Sequence, residues 1–245
     1  TFAADNNQPV LIHVTHILDH STKTTTRTIT YVVDDPNYTN QVPETQTQKI
    51  TWKITSDEAT GTSFATPTGI YSEQTAPKIE GYTPDKTQIA QEVFNGMATS
   101  GIPDDEPVTV TYHADKQQAT VEYVDDGNNG AVVGTPTTIN GTTSGSANWT
   151  ADNIPAKYIL AKGQAASGTY QFTNGTDQVV KIHLTHVMDY STATTTRTIT
   201  YVVDDPNYTG QVPETQIQKL NWNVVKDTVT GATVATPVGI YSAQT

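Results

Sequence analysis

"TTTRTITYVVDDPNYT" occupies residues 24–39 and returns unchanged at residues 194–209. Within it Arg27, Ile29, Tyr31 and Val33 alternate with Thr28, Thr30 and Val32. That period of two is the signature of a half-buried β-strand. The run stops at Asp34, Asp35, Pro36 and Asn37, residue types that make a turn. The duplication extends well beyond these sixteen residues. At the same offset, residues 11–75 and 181–245 agree at about two thirds of positions, including "QVPETQ" and "ATP.GIYS.QT". Solenoid units run about 20–50 residues, so a repeat this long reads instead as a tandem array of large units.

Composition narrows the class. Of the 245 residues only 35% are hydrophobic, which suits several small domains with thin cores better than one large core. Thr, Val, Tyr and Ile in short alternating runs favour strands and argue against disorder. The net charge of −12 is spread without a basic block, which excludes a nucleic-acid surface or an anionic-membrane surface as the expected partner. It would also repel a sialylated or sulfated glycan unless a local pocket compensated. No cysteine is present, so neither a disulfide framework nor thiol chemistry is expected. No apolar stretch approaches the ~20 residues of a membrane span, and no signal peptide opens the chain.

Further strands follow the first: "TQKITWKIT" (47–55), "TSFATPTGIYS" (62–72) and "EPVTVTYHA" (106–114). Between them "TPDKTQIAQEVF" (83–94) admits either a short helix capped at Thr83-Pro84 or an extended segment. A fainter repeat is nested inside the long one. "ATVEYVDDGNNG" (119–130) follows the pattern of "RTITYVVDDPN" (27–37); both then reach a tyrosine step, Gly81-Tyr82 or Lys157-Tyr158, and both close on a strand. The long unit is thus two related domains. Residues 1–19 are expected to be the closing strand of a preceding smaller domain, with Phe2 aligned to Phe172. Residues 20–117 form a larger domain, 118–188 a smaller one, and 189–245 a larger domain without its closing strand. An unclosed sheet edge is unpaired, so 189–245 are expected to be poorly ordered unless a neighbouring molecule supplies the missing strand.

These stretches carry a family resemblance. The strand with its "YVDDG" turn, the "IP.KY.L" step and the "GTYQF…QVVKIHLTH" ending of 118–188 resemble a mucin-binding (MucBP) domain. "TRTITYVVDDPNYTNQVPETQTQKITWKIT…GIYSEQTAPKIEGYTPDK…VTVTY" resembles the companion B2-like domain. Together they are similar to the repeat of the large mucus-binding adhesins of gut lactobacilli. The resemblance implies a β-rich α+β class, with tandem β-grasp, ubiquitin-like domains joined end to end as an elongated rod. It also implies an extracellular, bacterial cell-surface location, anchored to the cell wall by a region outside these residues, and host mucin glycans as ligands.

"HVTH" (13–16) and "HLTH" (183–186) would share a helix face, but their Val, Ile and Thr neighbours indicate strands, where positions three apart point to opposite faces. The pairs Asp34-Asp35, Asp125-Asp126 and Asp204-Asp205 stand in turns. Asp34, Asp35, Asp125 and Asp126 are the candidates for an incidental calcium ion, yet the loops lack the alternating ligands and bidentate Glu of a dedicated site. No G-x-S-x-G elbow, P-loop or dinucleotide fingerprint occurs, so no enzyme and no cofactor is expected. Sugars stack on aromatic faces, which makes Tyr38 and Tyr208 in the "PNYT" turns, and Trp149, Tyr158 and Tyr170 in the smaller domain, the candidate ligand-binding residues. A domain so small has few other large side chains, which favours the core over a ligand for Trp149 and Tyr158, and Trp52 and Trp222 are expected in cores. Three functions fit: a module binding mucin glycans weakly per repeat and by multivalency, a structural spacer in a surface fibre, or an immunoglobulin- or other protein-binding β-grasp module.

Overall fold

A computed structural model describes residues 9–243. Phe2, with the rest of 1–8, lies outside the described residues. Two compact units divide the chain, one made of 1–116 with 142–145, the other of 117–141 with 146–245. Among the described residues, regular structure is all strand apart from two three-residue 3-10 turns.

The first unit holds β1 (Leu18–Val33), β2 (Gln46–Asp57), β3 (Thr62–Pro67), β4 (Gln74–Thr75), β5 (Tyr82–Pro84), β6 (Gln88–Ile89), β7 (Met97–Ala98) and β8 (Glu106–Ala114). Six of them make one sheet in the order β5-β8-β1-β2-β3-β7, and β4 pairs with β6. β1 runs antiparallel to β2 but parallel to β8, with Arg27 opposite Glu106 and Val33 opposite Tyr112. The alternation read from the sequence is realised: Thr25, Arg27, Ile29 and Tyr31 point inward while Thr26, Thr28 and Thr30 are half exposed. Ile29 and Tyr31 pack with Tyr82, Ile89, Val110 and Tyr112, and a second cluster joins Ile50, Trp52, Ala65, Tyr71 and Ile102. Each fully buried aliphatic or aromatic side chain contributes roughly 1.5–3 kcal/mol. Trp52 is buried, as expected of it.

The α component of the expected class is absent among the described residues. Residues 83–94 take the extended alternative. The Asp85 amide donates to Thr111 O at 2.8 Å, and Thr111 N donates to the Asp85 carboxylate at 2.8 Å. Backbone groups that would have opened a helix are engaged by β8 instead.

The second unit holds β9 (Lys116–Asp125), β10 (Ala131–Thr142), β11 (Ser146–Thr150), β12 (Tyr158–Leu160), β13 (Ser167–Gln171), β14 (Val179–His186), β15 (Met188–Ile199), β16 (Gln216–Asp227) and β17 (Thr233–Val238). Its four-stranded sheet has the order β10-β9-β14-β12. β9 and β14 are parallel and β12 is antiparallel to β14. This order repeats β2-β1-β8-β5 of the first unit strand for strand, so the faint internal repeat is a shared topology. It extends to backbone detail: Gly81 (φ 79°) and Lys157 (φ 73°), each just before the tyrosine step, both adopt the left-handed region. That conformation is natural for glycine and costly for lysine. Val121, Tyr123, Val180, Ile182 and Leu184 form the core.

β15, β16 and β17 form a separate three-stranded sheet. Residues 189–243 thus pair their strands, yet the sheet stays uncovered: of its apolar side chains only Leu220 is buried, and Trp222, expected in a core, is half exposed. Residues 9–17 belong to no strand, whereas their counterparts 179–186 form β14 beside β9. Among the described residues no strand pairs with 9–17 as β9 pairs with β14.

Candidate functional site

The aspartate turns and the tyrosine steps, considered separately in the sequence, meet in the structure. Tyr82 donates its hydroxyl to Asp35 Oδ2 at 2.7 Å in the first unit, and Tyr158 donates to Asp125 Oδ2 at 3.1 Å in the second. The tyrosine step of each domain thereby secures the turn that ends its first strand. Burial, together with the neighbouring carboxylate, raises the ionisation of both phenols.

The remaining carboxylate oxygens are also engaged. Asp35 Oδ1 accepts from the Asn37 amide and Asp125 Oδ1 from the Gly127 amide, each at 2.8 Å. Asp126 lies 2.6 Å from His183 Nδ1, and Asp34 lies 3.5 Å from His113 Nδ1. Among the described residues no three His, Asp or Glu side chains converge as a metal ion would require. Burial works against ionisation of Asp125, but His186, the Gly127 amide and Tyr158 outweigh it and hold the carboxyl below the usual range.

The aromatic candidates fall into two groups. Tyr38 lies edge-on to Tyr82 (ring centroids 5.1 Å apart) and packs against the first core. Trp149, Tyr158 and Tyr170 pack against the second core, with Tyr170 edge-on to Phe172 at 5.3 Å. Trp149 is nevertheless half exposed, lies opposite Gly168 on β13, and lines a shallow cleft with Asn148, Thr150, Ser167 and Thr169. A Cβ on residue 168 would fall 2.8 Å from the indole, so glycine is what lets the ring lie flat there. Tyr208 is 48% exposed, its hydroxyl donating to Gln211 O. Tyr208 is the exposed candidate; Tyr38, Trp149, Tyr158 and Tyr170 are all half-buried, and of these Trp149 lines the cleft.

Two features escaped sequence reasoning. Arg27 is 1% exposed in the inward row of β1; it pairs with Glu106 at 2.8 Å and Glu92 at 2.9 Å, donates to Ala90 O, and lies 4.7 Å above the Tyr71 ring. An open groove of about 540 Å³ passes over Arg27, Lys86, Glu92 and Glu106. The other is His186, whose two ring nitrogens meet Asp125 at 2.9 Å and Asp227 at 2.7 Å. Nothing local in the sequence announces either set, because their partners lie 41 to 79 residues away.

Residues 18–126 match the family described as Muc B2-like domain, and residues 117–186 match the family described as Mucin binding domain. The solved structure named Mub-RV is 27% identical, over 41% of this chain and 61% of that one, with a TM-score of 0.29. The MucBP domain of the adhesion protein from Pediococcus pentosaceus is 30% identical, over 38% of this chain and 99% of that one, with a TM-score of 0.28. The type 2 repeat of the mucus binding protein MUB from Lactobacillus reuteri is 25% identical, over 38% of this chain and 50% of that one, with a TM-score of 0.25. The chain therefore spans about three fifths of Mub-RV. A comparison with curated proteins finds no match.

The chain contains a Muc B2-like domain followed by a mucin-binding (MucBP) domain.

Proposed function

We propose that this chain is a repeat module of a bacterial cell-surface adhesin that binds host mucin glycans, weakly at each repeat and tightly through many. The observation that carries the reading is the match of residues 117–186 to the mucin-binding domain, in a chain that carries a long duplication (11–75 and 181–245). Weak shallow sites on tandem copies gain avidity through effective concentration, and an exposed tyrosine or a half-exposed tryptophan in a cleft is a surface suited to that mode. Tyr208 and Trp149 are the first proposed contacts, and the half-buried Tyr38, Tyr158 and Tyr170 are the further ones.

The domains we assign are 20–117, 118–188 and the incomplete 189–245, with 1–19 belonging to a preceding repeat. They are of β-grasp type, joined end to end as a rod and displayed outside the cell. What supports the β-grasp assignment is the parallel pairing of first and last strands, β1 with β8 and β9 with β14, each flanked by antiparallel neighbours.

Surface binding to intestinal mucin, intact and enzymatically stripped of glycans, with and without a calcium chelator, tests the reading. Binding lost with the glycans and indifferent to the chelator is expected. Binding that persists on stripped mucin would make this a protein-binding module, and no binding to either would make it a spacer.

A further inference from the structure

We propose that His186 is a proton-operated clasp between the MucBP domain and the sheet that follows it: protonated, it ties Asp125 to Asp227 and fixes the joint; deprotonated, it lets one carboxylate go and the joint loosens.

The geometry dictates the protonation state. Nε2 of His186 lies 2.9 Å from Asp125 Oδ2 and Nδ1 lies 2.7 Å from Asp227 Oδ2. A carboxylate only accepts hydrogen bonds, and a neutral imidazole has a single N–H. Both contacts can therefore be hydrogen bonds only when the ring is an imidazolium. The three side chains are 8%, 3% and 17% exposed, so solvent cannot readily replace a missing bond.

The clasp sits where it can control the joint. Val187 alone separates β14 from β15. Its amide donates to Lys157 O at 2.8 Å, on the MucBP side. Its carbonyl accepts from Thr228 N at 3.1 Å and Thr228 Oγ1 at 2.7 Å, on the side of the following sheet. With His186 bridging Asp125 of β9 to Asp227 of β16, the single connecting residue is flanked by ties on both sides.

The same parts recur one repeat earlier. His16 Nδ1 lies 2.7 Å from Asp57 Oδ2, and Glu58 N donates to Ile17 O. The device is specific to this kind of joint. His186 stands opposite Tyr158 in the register of β14 and β12, whereas in the Muc B2-like domain the residue opposite Tyr82 is Ala114, which has no proton to give.

The titratable groups against the His186 ring are Asp125 from β9, Asp227 from the end of β16 and Tyr158 from β12, whose ring lies edge-on at 5.4 Å. Hydrogen bonds to Asp125 and Asp227 hold the imidazole above its usual range, and Asp227, despite its partial burial, is held well below the carboxylate range by His186 and its turn. The clasp is closed between those limits and opens as pH rises through the His186 value.

The chain has no cysteine, so spin labels can be placed by Lys162→Cys and Thr236→Cys, both at exposed positions. Pulsed electron resonance on the full chain should give a narrow distance distribution near pH 5.5 and one at least about twofold broader near pH 9, centred on imidazole titration. Asp227→Ala, which removes the carboxylate and offers His186 Nδ1 no side-chain partner, should be broad at both values, as should His186→Ala. A wild-type width that ignores pH, or an Asp227→Ala protein that keeps the pH response, would overturn the proposal. Should His186→Ala fail to fold, the Asp227 variant decides alone.

Discussion

Nε of Arg27 lies 2.8 Å from Oε2 of Glu106, tying the first strand of the Muc B2-like domain to its parallel closing strand. Its sequence twin, Arg197, has no such partner: it is exposed and donates to Gln218 Oε1 and Ser242 O. Two arginines in identical local sequence thus occupy opposite environments. Removing one partner of a buried pair costs about 3–5 kcal/mol, and the partial exposure of both glutamates places Arg27→Ala at about 3 kcal/mol, the lower end. Arg197→Ala should stay within about 0.5 kcal/mol, as exposed substitutions do. Hydrogen exchange of β1 and β15 amides in denaturant measures both; equal losses would contradict the asymmetry.

Thr25 provides a second such contrast. Its hydroxyl accepts from Trp52 Nε1 and from the Tyr71 hydroxyl, both at 3.0 Å and both buried. Thr25→Val keeps the shape but leaves these donors unsatisfied, at about 1–3 kcal/mol for each group. Thr195 makes the matching contacts to Trp222 and Tyr241 in an exposed setting. There the donors fall back on water, and Thr195→Val should be nearly silent in the same exchange experiment.

Stability of the second unit should depend on pH with a definite sign. The His186 value is raised in the fold, so its contribution is complete below the unfolded value of about 6.5 and is lost as pH climbs through the folded one. Asp125 and Asp227 are lowered, so theirs is complete above about 3.9 and is lost in stronger acid. Melting of the full chain across pH should therefore be most favourable between those limits, and Asp227→Asn should flatten the alkaline fall. An alkaline fall of unchanged size in Asp227→Asn would refute the assignment.

Mucin binding should separate surface from core aromatics. Tyr208→Ala is expected to weaken binding several-fold, within the ~1–3 kcal/mol that one stacked ring supplies in comparable recognition, without changing the melting temperature. Tyr38→Ala removes the edge contact to Tyr82, worth about 0.5–1.5 kcal/mol beyond area burial, and should register as lost stability first. Parallel binding and melting curves for the two variants distinguish these outcomes, and a Tyr208→Ala protein that binds normally would remove that turn from the site.

Much of this was legible in the residues. Period-two alternation located β1, β2, β3 and β8 because a half-buried strand must alternate, and the tyrosine and aspartate landmarks shared by the two domains reappeared as a shared strand order. Less of the candidate site is legible. Asp125, Tyr158 and His186 read in the sequence only as a turn carboxylate, an aromatic and a strand end; their convergence depends on the parallel register of β9 with β14, a pairing between segments 59 positions apart at Thr120 and Val179. Pairing at that range leaves no local trace.

The duplicated sixteen residues show where the division falls. By itself the sequence determined that "TTTRTITYVVDD" is an alternating strand ending in a turn, because that is a property of side-chain spacing and turn chemistry. Burial was decided only by tertiary structure. In the first copy β1 continues to Val33, with Thr25, Arg27, Ile29 and Tyr31 buried, because β8 pairs along Arg27–Val33. In the second, β15 ends at Ile199, and Thr195 and Arg197 stay exposed. A strand's hydrogen bonds and its inward face are completed by a neighbour, and the same letters without that neighbour remain an open edge.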